Sequence, residues 1–467
     1  MPVDRDAVRD AAKYLRQVRP IDPAEITEYV PGQPDPRVLR QILREEAMEL
    51  GLAETADGTF RPAAEGPLQV PAAAVTGLPA AVEDRLLDLL IERYGADWAA
   101  GETGEAIRER IADLKAEYFA GRGVTYDADV ALAYAIYHLA GYYASTRHLL
   151  AWLSEEGLLP SRARVLDVGA GIGGPALAFA EVYGDAVVDP PPILEYHALE
   201  PADAAADVFE ALVDPPRNVT TTVHRERAET VDPPGSFDLI LFSNVLSELA
   251  EPVETAARFL ESLDPDGTLL LTAPADRNTS LQLRTVERAL EDRGLSVYGP
   301  TVRLWSGERP TADCWSFDQR PDIEVPAAQA TLADGAADPD AVTNTSVKYS
   351  YSALRTDGRR RIDLALDRSN VAKLGAIEDA VGKRVDIVAA KLSRNLADSG
   401  HPLYRISDGS EATEPFAVLV NETALNDDLA RAEYGALLQF TNVLVLYNDD
   451  EGAYNLVVDE ETIVDAA

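Results

Sequence analysis

The hydrophobic positions change their period several times along the chain, and these changes divide it into segments. Apolar residues at helical spacing predict three short helices in residues 1–65, followed by a hairpin with a turn at Asp57-Gly58. Residues 156–355 alternate strand and helix patterns, which favours a parallel sheet with helices on both faces. Residues 381–467 contain five β-rich runs separated by turns, which is typical of a small closed barrel. The fold class predicted is therefore α/β, with a smaller domain on each side.

Two further segments join these domains. Residues 66–155 begin as a Pro- and Ala-rich linker and then become helical, and residues 356–380 form a second linker. Within the central domain, residues 299–345 are rich in Pro, Asp and Ala and are interpreted as an insertion. The aromatic-rich stretch 134–147 leads into the central domain. It is either a lid over a bound ligand or, as is commoner for such stripes, part of the core.

Acidic residues outnumber basic ones by 80 to 42, which gives a net charge of −38. Carboxylates spread over every predicted surface resemble the bias of haloarchaeal proteins, whose acidic surfaces stay hydrated in concentrated salt. At about 1 M salt the Debye length is roughly 3 Å, so this charge does not exclude a polyanionic partner. The alternative is an acidic protein of an ordinary cytoplasm that avoids nucleic acid.

The sequence carries no signal for a membrane or for export. No apolar run approaches the roughly 20 residues of a membrane span, and the first residues lack a basic region followed by an apolar core. A single cysteine, Cys314, excludes an internal disulfide and any metal site built from several cysteines. We therefore predict a cytoplasmic protein without membrane contact and without a metal.

A glycine-rich turn follows the first predicted strand of the central domain. Residues 164–175 read RVLDVGAGIGGP, which is a hydrophobic strand, a turn and a helix start. Glycines let the backbone approach a ligand closely, and a helix start offers unpaired N–H groups. Gly169, Gly171 and Gly174 also satisfy the dinucleotide fingerprint G-x-G-x-x-G, so the glycines alone leave two cofactor classes open.

The elements around the turn decide between these classes. Asp167 ends the strand before the turn, and the next strand ends in Glu200, a carboxylate placed to accept bonds from both hydroxyls of a ribose. Residues 237–249 then have the pattern of a fourth strand of the sheet and its following turn, and residues 263–271 have the pattern of a turn and a fifth strand. In this order the four elements resemble the class I S-adenosylmethionine-dependent methyltransferases. The resemblance implies a Rossmann-like core, S-adenosyl-L-methionine as cofactor and nine cofactor-binding residues, namely Asp167, Gly169, Gly171, Gly173, Glu200, Ala228, Glu229, Ser243 and Asn244.

The chain departs from that superfamily in ways that bear on its chemistry. Residues 189–192 lengthen the segment between Asp167 and Glu200, and Arg227 occupies a position at which many relatives have an acidic residue. The alternative is therefore a protein that keeps the methyltransferase fold but no longer binds the cofactor. Residues 243–246 read SNVL in place of the Asn/Asp-Pro-Pro-aromatic tetrad of base-amino methyltransferases, which disfavours that chemistry. No catalytic residue is identified, although positioning alone accelerates methyl displacement.

A closer resemblance rests on the insertion. Residues 313–320 (DCWSFDQR) and 348–355 (KYSYSALR) are similar to segments of a methyltransferase-like family associated with the mitochondrial-type small ribosomal subunit and its prokaryotic relatives. The resemblance covers roughly residues 130–355 and implies modification of ribosomal RNA or assembly of the small subunit. In organellar relatives the insertion carries cysteines that ligate an iron–sulfur cluster. Here Cys314 is the only thiol, so we expect no iron–sulfur cluster and expect packing around Trp305, Trp315 and Phe317 to replace it.

Both outer domains point to nucleic acid. Residues 1–65 resemble a winged helix-turn-helix, whose third helix would present the RNA-binding residues Arg37, Arg40 and Arg44; a packing or protein-docking module is the alternative. Residues 381–467 resemble an OB-fold of the single-strand-binding type. Its predicted RNA-binding cations are Lys383, Arg384, Lys391, Arg394 and Arg405. Its candidate stacking rings, which otherwise fill the core, are Tyr404, Phe416, Tyr447 and Tyr454.

The function predicted is that of an S-adenosylmethionine-dependent methyltransferase acting on RNA, or of a methyltransferase-like assembly factor of the small ribosomal subunit. Two other hypotheses stay open. One is a catalytically silent ribosome-binding or RNA-binding factor, and the other is a DNA-binding regulator that uses the winged helix. The sequence does not predict the oligomeric state.

Overall fold

A computed structural model describes residues 3–71, 74–119, 126–184, 188–233, 235–367 and 371–467. The chain divides into two compact units. One comprises Met1–Ser243, Ser262–Asp264 and Pro321–Val347, and the other comprises Asn244–Glu261, Pro265–Arg320 and Lys348–Ala467. The predicted central domain therefore contributes to both units, and its limits stay a prediction.

The first unit begins with a small helical domain. Its elements are α1 (Arg5–Leu15), α2 (Pro23–Ile26), α3 (Pro36–Glu45), α4 (Ala47–Leu50), β1 (Leu52–Glu54) and β2 (Phe60–Pro62). Asp4, Asp22 and Asp35 cap the first three helices, each accepting a bond from a backbone N–H of the first turn. β1 and β2 form an antiparallel hairpin, and Ile21 pairs with Phe60 beside it. The predicted helices and hairpin are present, and their classification as a winged helix stays a prediction.

Long helices occupy most of the predicted helical region. They are α5 (Ala80–Tyr94), α6 (Gly101–Phe119) and α7 (Ala128–Glu155). The Asp127 side chain caps α7 by accepting from the Val130 N–H at 2.8 Å. None of the helices in the described ranges is long and apolar enough to cross a membrane.

A parallel sheet forms the centre of the first unit. Its elements are β3 (Arg162–Val168), α8 (Gly174–Gly184), β4 (Ile193–Leu199), α9 (Asp203–Leu212), β5 (Val219–His224) and β6 (Phe237–Ser243). The strands lie in the order β5-β4-β3-β6, all parallel. Val168 pairs with Leu199 on one side and with Phe242 on the other, so the carboxyl ends of these strands meet at one edge. Part of the predicted insertion also belongs to this unit, as α12 (Ala327–Ala333) and a 3-10 turn at Pro339–Ala341.

The second unit contains the remaining strands of the α/β region. They are β7 (Leu263–Pro274), β8 (Ser296–Gly299), β9 (Asp318–Arg320) and β10 (Val347–Arg355), accompanied by α10 (Pro252–Phe259) and α11 (Arg277–Glu291). β10 lies between β7 and β8 and is antiparallel to both. Seen by itself, this part is therefore an antiparallel sheet.

A closed five-stranded barrel ends the second unit, as the sequence predicts. Its elements are β11 (Arg384–Lys391), β12 (Leu403–Ser407), β13 (Pro415–Leu419), α13 (Asp428–Arg431), β14 (Leu437–Asn448) and β15 (Ala453–Val458). The strand order is β11-β12-β13-β15-β14, and the pairing of β11 with β14 closes the barrel. The prediction of five strands omitted β16 (Ile463–Ala466), a short strand that pairs with β14.

The barrel is joined to the insertion by a seam between residues 302–312 and 408–411. The Trp305 indole N–H donates to the Asp408 carboxylate at 2.6 Å. Gly409 lies so close to Val302 that a Cβ on this glycine would be 2.2 Å from the Val302 carbonyl oxygen. The predicted hydrophobic packing is thus present only in part, since Trp305 is buried and anchored by a hydrogen bond while Trp315 is 38% exposed.

A buried ion cluster fixes α11 against residues 301–303. The Glu287 carboxylate, only 1% exposed, accepts from Arg284 at 2.6 Å, from Thr301 at 3.0 Å and from Arg303 at 3.3 Å. Burial alone would raise the pKa of Glu287, but the two guanidinium groups outweigh it and hold this pKa at about 2. Sequence reasoning did not predict this cluster, because its members lie on one turn of α11 and on a loop more than ten residues further along the chain.

Candidate cofactor site

The turn after β3 is fixed to the ends of the two strands beside it. The backbone N–H groups of Gly169 and Ala170 both donate to the Leu199 carbonyl, at 2.8 and 3.1 Å, and the Glu200 N–H donates to the His224 carbonyl at 2.9 Å. Three successive strand ends are thereby joined at the carboxyl edge of the sheet. Open α/β sheets bind their ligands at this edge.

The three predicted glycines of the turn have different surroundings. Gly169, Gly171 and Gly173 all have positive φ, at 74°, 54° and 90°. A Cβ on Gly171 would meet nothing within 4 Å, whereas a Cβ on Gly173 would be 2.8 Å from the Phe209 ring. Gly171 therefore faces open space in which a ligand can approach the backbone, while Gly173 is required for the packing of α9.

Glu200 is buried and bonded to the turn. Its two carboxylate oxygens accept from the backbone N–H groups of Gly171 at 2.9 Å and Ala202 at 2.8 Å. Burial raises the pKa of Glu200, although these two bonds oppose the shift. Each carboxylate oxygen can accept more than one bond, so Glu200 keeps the capacity for the predicted ribose hydroxyls. The bond to Gly171 fixes this carboxylate to the glycine turn.

Asp167 is fully buried beneath the same turn. The Tyr196 hydroxyl donates to its Oδ2 at 2.6 Å, while no donor in the described part of the chain bonds its Oδ1. Burial raises the pKa of Asp167 to about 7, against the lowering effect of the Tyr196 bond and with a smaller contribution from Glu200. A buried carboxylate oxygen without a donor is costly, so the site suits a ligand that supplies one. Sequence reasoning missed Tyr196, because the pattern of β4 does not show which buried group its hydroxyl reaches.

The remaining predicted cofactor residues follow the neighbouring strands. Ala228, which is buried, and Glu229, which is exposed, come after β5, and the partly buried Ser243 ends β6. Asn244, in the second unit, has a positive φ of 57°, a conformation that asparagine tolerates better than most residues. Its N–H donates to the Thr272 carbonyl at 3.2 Å. A direct hydrogen bond thus joins the glycine turn to Glu200, while Ala228, Glu229 and Ser243 lie at or after the ends of the neighbouring strands.

The arginines predicted to bind RNA on α3 are partly neutralised. Arg40 and Arg44 both pair with the buried carboxylate of Glu54 on β1, at 3.3 and 2.5 Å. Arg37 is exposed. The predicted cationic face of α3 is therefore reduced in this structure to Arg37 and the outer parts of two arginines that already share a carboxylate.

The barrel cations are likewise divided between surface and interior. Lys391 is buried and donates to the Ala432 carbonyl at 2.7 Å, and burial lowers the pKa of this lysine to about 8. Arg405 is buried and bonds Glu414 at 2.7 Å. Lys391 and Arg405 are thus buried in the free protein, and their predicted contact with RNA stays a prediction. Arg384 pairs with Asp459 at 2.5 Å, so the exposed members of the predicted set are Lys383 and Arg394.

The candidate stacking rings divide in the same way. Tyr404 belongs to the barrel core, and the Phe416 ring lies 4.9 Å from the Arg405 guanidinium. Tyr447 is 43% exposed and its ring centroid lies 5.0 Å from that of Tyr454. The adjacent rings of Tyr447 and Tyr454 are thus the aromatic pair that reaches the barrel surface.

Sequence comparison identifies the domain that contains the glycine turn. Residues 136–331 match the family model described as a methyltransferase domain. The chain contains a class I methyltransferase domain. The domains on either side match the models described as the N-terminal domain (residues 5–56) and the C-terminal domain (residues 375–467) of a domain of unknown function, DUF8157. No curated protein sequence matches the chain.

Several solved methyltransferase structures are similar to parts of the chain at low identity. The complex between the Haloferax volcanii Trm112 methyltransferase activator and a putative methyltransferase is 18% identical, over 42% of this chain and 82% of that one, with a TM-score of 0.26. A methyltransferase from Aquifex aeolicus is 20% identical over 32% and 81%, with a TM-score of 0.25. The plantazolicin methyltransferase BpumL in complex with SAH is 10% identical over 59% and 98%, with a TM-score of 0.29.

Proposed function

We propose that the chain binds S-adenosyl-L-methionine at the glycine turn and transfers its methyl group to RNA. One observation carries the cofactor assignment: Gly171, whose Cβ direction is open, donates its N–H to the carboxylate of Glu200, and the buried Asp167 of the preceding strand has an Oδ1 with no donor among the described residues. A ligand with both a ribose and an ammonium group satisfies these two carboxylates together.

The residues of the turn have separate roles in this proposal. Gly171 lets the backbone approach the cofactor, Glu200 accepts from the ribose hydroxyls, and Asp167 holds the amino-acid end. When bound, S-adenosyl-L-methionine supplies a methyl group activated by its sulfonium. The protein then has to position the acceptor, because a displacement of this kind is accelerated by orientation alone.

RNA is the acceptor class that the remaining features favour. The insertion resembles a family associated with the small ribosomal subunit, and the exposed Arg37, Lys383 and Arg394 lie on the small domains that precede and follow the methyltransferase domain in the sequence. We therefore propose small-subunit ribosomal RNA as substrate, in the cytoplasm of a salt-adapted cell. In concentrated salt the short Debye length leaves close arginine–phosphate contacts in place while it screens the acidic surface.

A silent RNA-binding factor is the second candidate, and one observation favours it. Both oxygens of Glu200 already accept bonds from the backbone, and Arg227 stands where many methyltransferases have an acid. Such a factor keeps the fold for its shape and binds no cofactor.

Isothermal titration with S-adenosyl-L-methionine in molar KCl separates the two candidates. Wild-type protein is expected to bind, and Gly171→Arg is expected to abolish binding while lowering the melting temperature by about as much as Gly294→Arg does. Gly294→Arg is the matched control, since Gly294 also has positive φ and open surroundings. No binding by the wild-type protein would favour the silent factor, and equal binding by Gly171→Arg would show that the cofactor site lies elsewhere.

The acceptor is identified by crosslinking the protein in cells and sequencing the bound nucleic acid. Recovery of small-subunit ribosomal RNA is expected. Recovery of DNA without ribosomal RNA would replace the proposal with that of a DNA-binding regulator.

A further inference from the structure

The first half of helix α7 extends beyond the carboxyl edge of the parallel sheet. A Cβ on Gly174, at the start of α8, would be 2.9 Å from the Cβ of Tyr142, while Arg147 pairs at 3.5 Å with Glu181 near the end of α8. The two helices therefore run in the same direction, with Tyr142 level with the glycine turn. At 1.5 Å per residue, the part of α7 from Ala128 to Tyr142 projects about 20 Å past the turn.

The rings of Tyr134, His138 and Tyr142 on this projecting part and the ring of Tyr126, just before the helix, form a row that we name the aromatic wall. The His138 ring centroid lies 4.5 Å from that of Tyr134 and 5.3 Å from that of Tyr142, the latter nearly parallel at 19°. The Tyr126 and Tyr134 centroids are 5.6 Å apart. All four residues are only partly buried, whereas the core residues of α7 between them, such as Leu139, are fully buried. The wall is therefore not explained by core packing alone.

A cation borders the aromatic wall. The Lys115 ammonium lies 5.0 Å from the centre of the Tyr137 ring and donates to the Ala341 carbonyl at 3.0 Å. Burial lowers the pKa of His138 to about 4, and the charge of Lys115 adds to this effect, so the imidazole is neutral at physiological pH. The wall is thus an uncharged aromatic surface with one positive charge at its side.

Two residues of the insertion bond the backbone of α7 next to the aromatic wall. The Gln329 side-chain amide donates to the Ile136 carbonyl at 2.8 Å and accepts from the Asn344 N–H at 2.7 Å. The Asn344 side chain donates to the Tyr137 carbonyl at 3.1 Å. Gln329 is fully buried. These bonds fix the projecting helix before any ligand arrives, which lowers the entropic cost of binding.

We propose that the aromatic wall is the acceptor site and that it holds a nucleobase of single-stranded RNA by stacking. This assignment rests on the proposed function. Every base has a π-face, and stacking of bases on aromatic side chains is a general means of binding single strands. The wall begins at the level of the glycine turn, where the reacting methyl group would be delivered, and Lys115 is placed to neutralise a backbone phosphate next to the stacked base.

The test measures the binding of a fluorescein-labelled single-stranded RNA of mixed sequence, in parallel with titration of S-adenosyl-L-methionine. Tyr134→Leu removes a ring from the middle of the wall, and we expect its RNA affinity to fall by about 5- to 150-fold, the range of one lost base stack. Tyr134→Phe keeps the ring and removes the hydroxyl that bonds Tyr142, so its affinity should stay within about twofold of wild type. Tyr14→Leu, which removes a tyrosine that is 66% exposed in the N-terminal domain, is the control for nonspecific loss of an aromatic surface.

The outcomes separate this inference from the proposal on which it rests. Unchanged RNA affinity in Tyr134→Leu, with a melting temperature equal to that of Tyr134→Phe, would overturn the acceptor site while leaving the cofactor site intact. A parallel fall in cofactor affinity would assign the wall to the cofactor and also overturn it. If a tyrosine-rich peptide displaces the labelled RNA from the protein but unlabelled RNA does not, the wall does not bind a nucleobase. Failure of the wild-type protein to bind S-adenosyl-L-methionine would instead refute the proposed function itself.

Discussion

Replacing Glu287 by alanine tests the reasoning about the buried ion cluster. The substitution leaves Arg303 with its second partner Glu291 at 2.8 Å, but leaves Arg284 buried without a carboxylate. Two nitrogens of Arg284 already have no hydrogen-bond partner among the described residues, so nothing nearby compensates. Removing one partner of a buried ion pair costs about 3–5 kcal/mol. At about 2–4 °C per kcal/mol, the melting temperature of the second unit should fall by about 6–20 °C.

Differential scanning calorimetry of matched variants provides the measurement. Glu254→Ala breaks the exposed pair between Glu254 and Arg293, and it should cost less than about 1 kcal/mol. Glu287→Gln keeps the shape without the charge and should fall between the two. The Glu287→Ala penalty should persist in 3 M KCl, because salt screens buried pairs much less than exposed ones. The reasoning is refuted if Glu287→Ala costs no more than Glu254→Ala, or if its penalty disappears in high salt.

Three further predictions concern stability. Gly173→Ala should lower the free energy of unfolding, measured by urea denaturation, by about 1–3 kcal/mol, because the new Cβ would collide with Phe209. Gly171→Ala should lower it less, because Gly171 faces open space. Equal losses in the two variants would contradict the packing role of Gly173. The pKa of Asp167 is raised to about 7, so its protonated form favours the folded state and this contribution is lost as pH rises from about 4 through 7. The melting temperature of wild type should therefore decline relative to Asp167→Asn over that range, and a constant difference would argue against burial as the cause. Trp305→Phe should lower stability by about 1–3 kcal/mol by removing the bond to the buried Asp408, and an unchanged urea midpoint would show that this part of the seam contributes nothing.

The sheet and the barrel could be predicted because their signals are local. A hydrophobic strand followed by the glycines of residues 164–175 specifies a strand, a tight turn and a helix start without reference to the rest of the chain. Carboxylates at strand ends, such as Asp167 and Glu200, could be assigned to the same edge once the strands were taken as parallel. Tyr196 could not, because the sequence does not show which buried group a tyrosine hydroxyl reaches.

The charged residues show why their burial and their partners could not be predicted from the sequence. Arg405 alternates with the core residues Tyr404 and Ile406, so the two-residue period assigns it to the outside of the barrel. In the structure Glu414 and the Phe416 ring cover it. The pairing of Arg40 and Arg44 with Glu54 depends on how the hairpin returns to α3. A sequence pattern gives the direction of a side chain, but only the tertiary fold gives its partner.

The seam between residues 302–312 and 408–411 has a consequence for how this chain can change over generations. A side chain at Gly409 would displace the Val302 carbonyl, and a residue without a carboxylate at position 408 would leave the buried Trp305 indole N–H without its acceptor. Variation on one side is therefore tolerated only with a matching change on the other, about 100 residues away in sequence. The family model of the C-terminal domain begins at residue 375. Recombination at that residue would exchange the barrel without residues 302–312, which form the other side of the seam. The unit that has to be inherited together is therefore larger than the C-terminal domain.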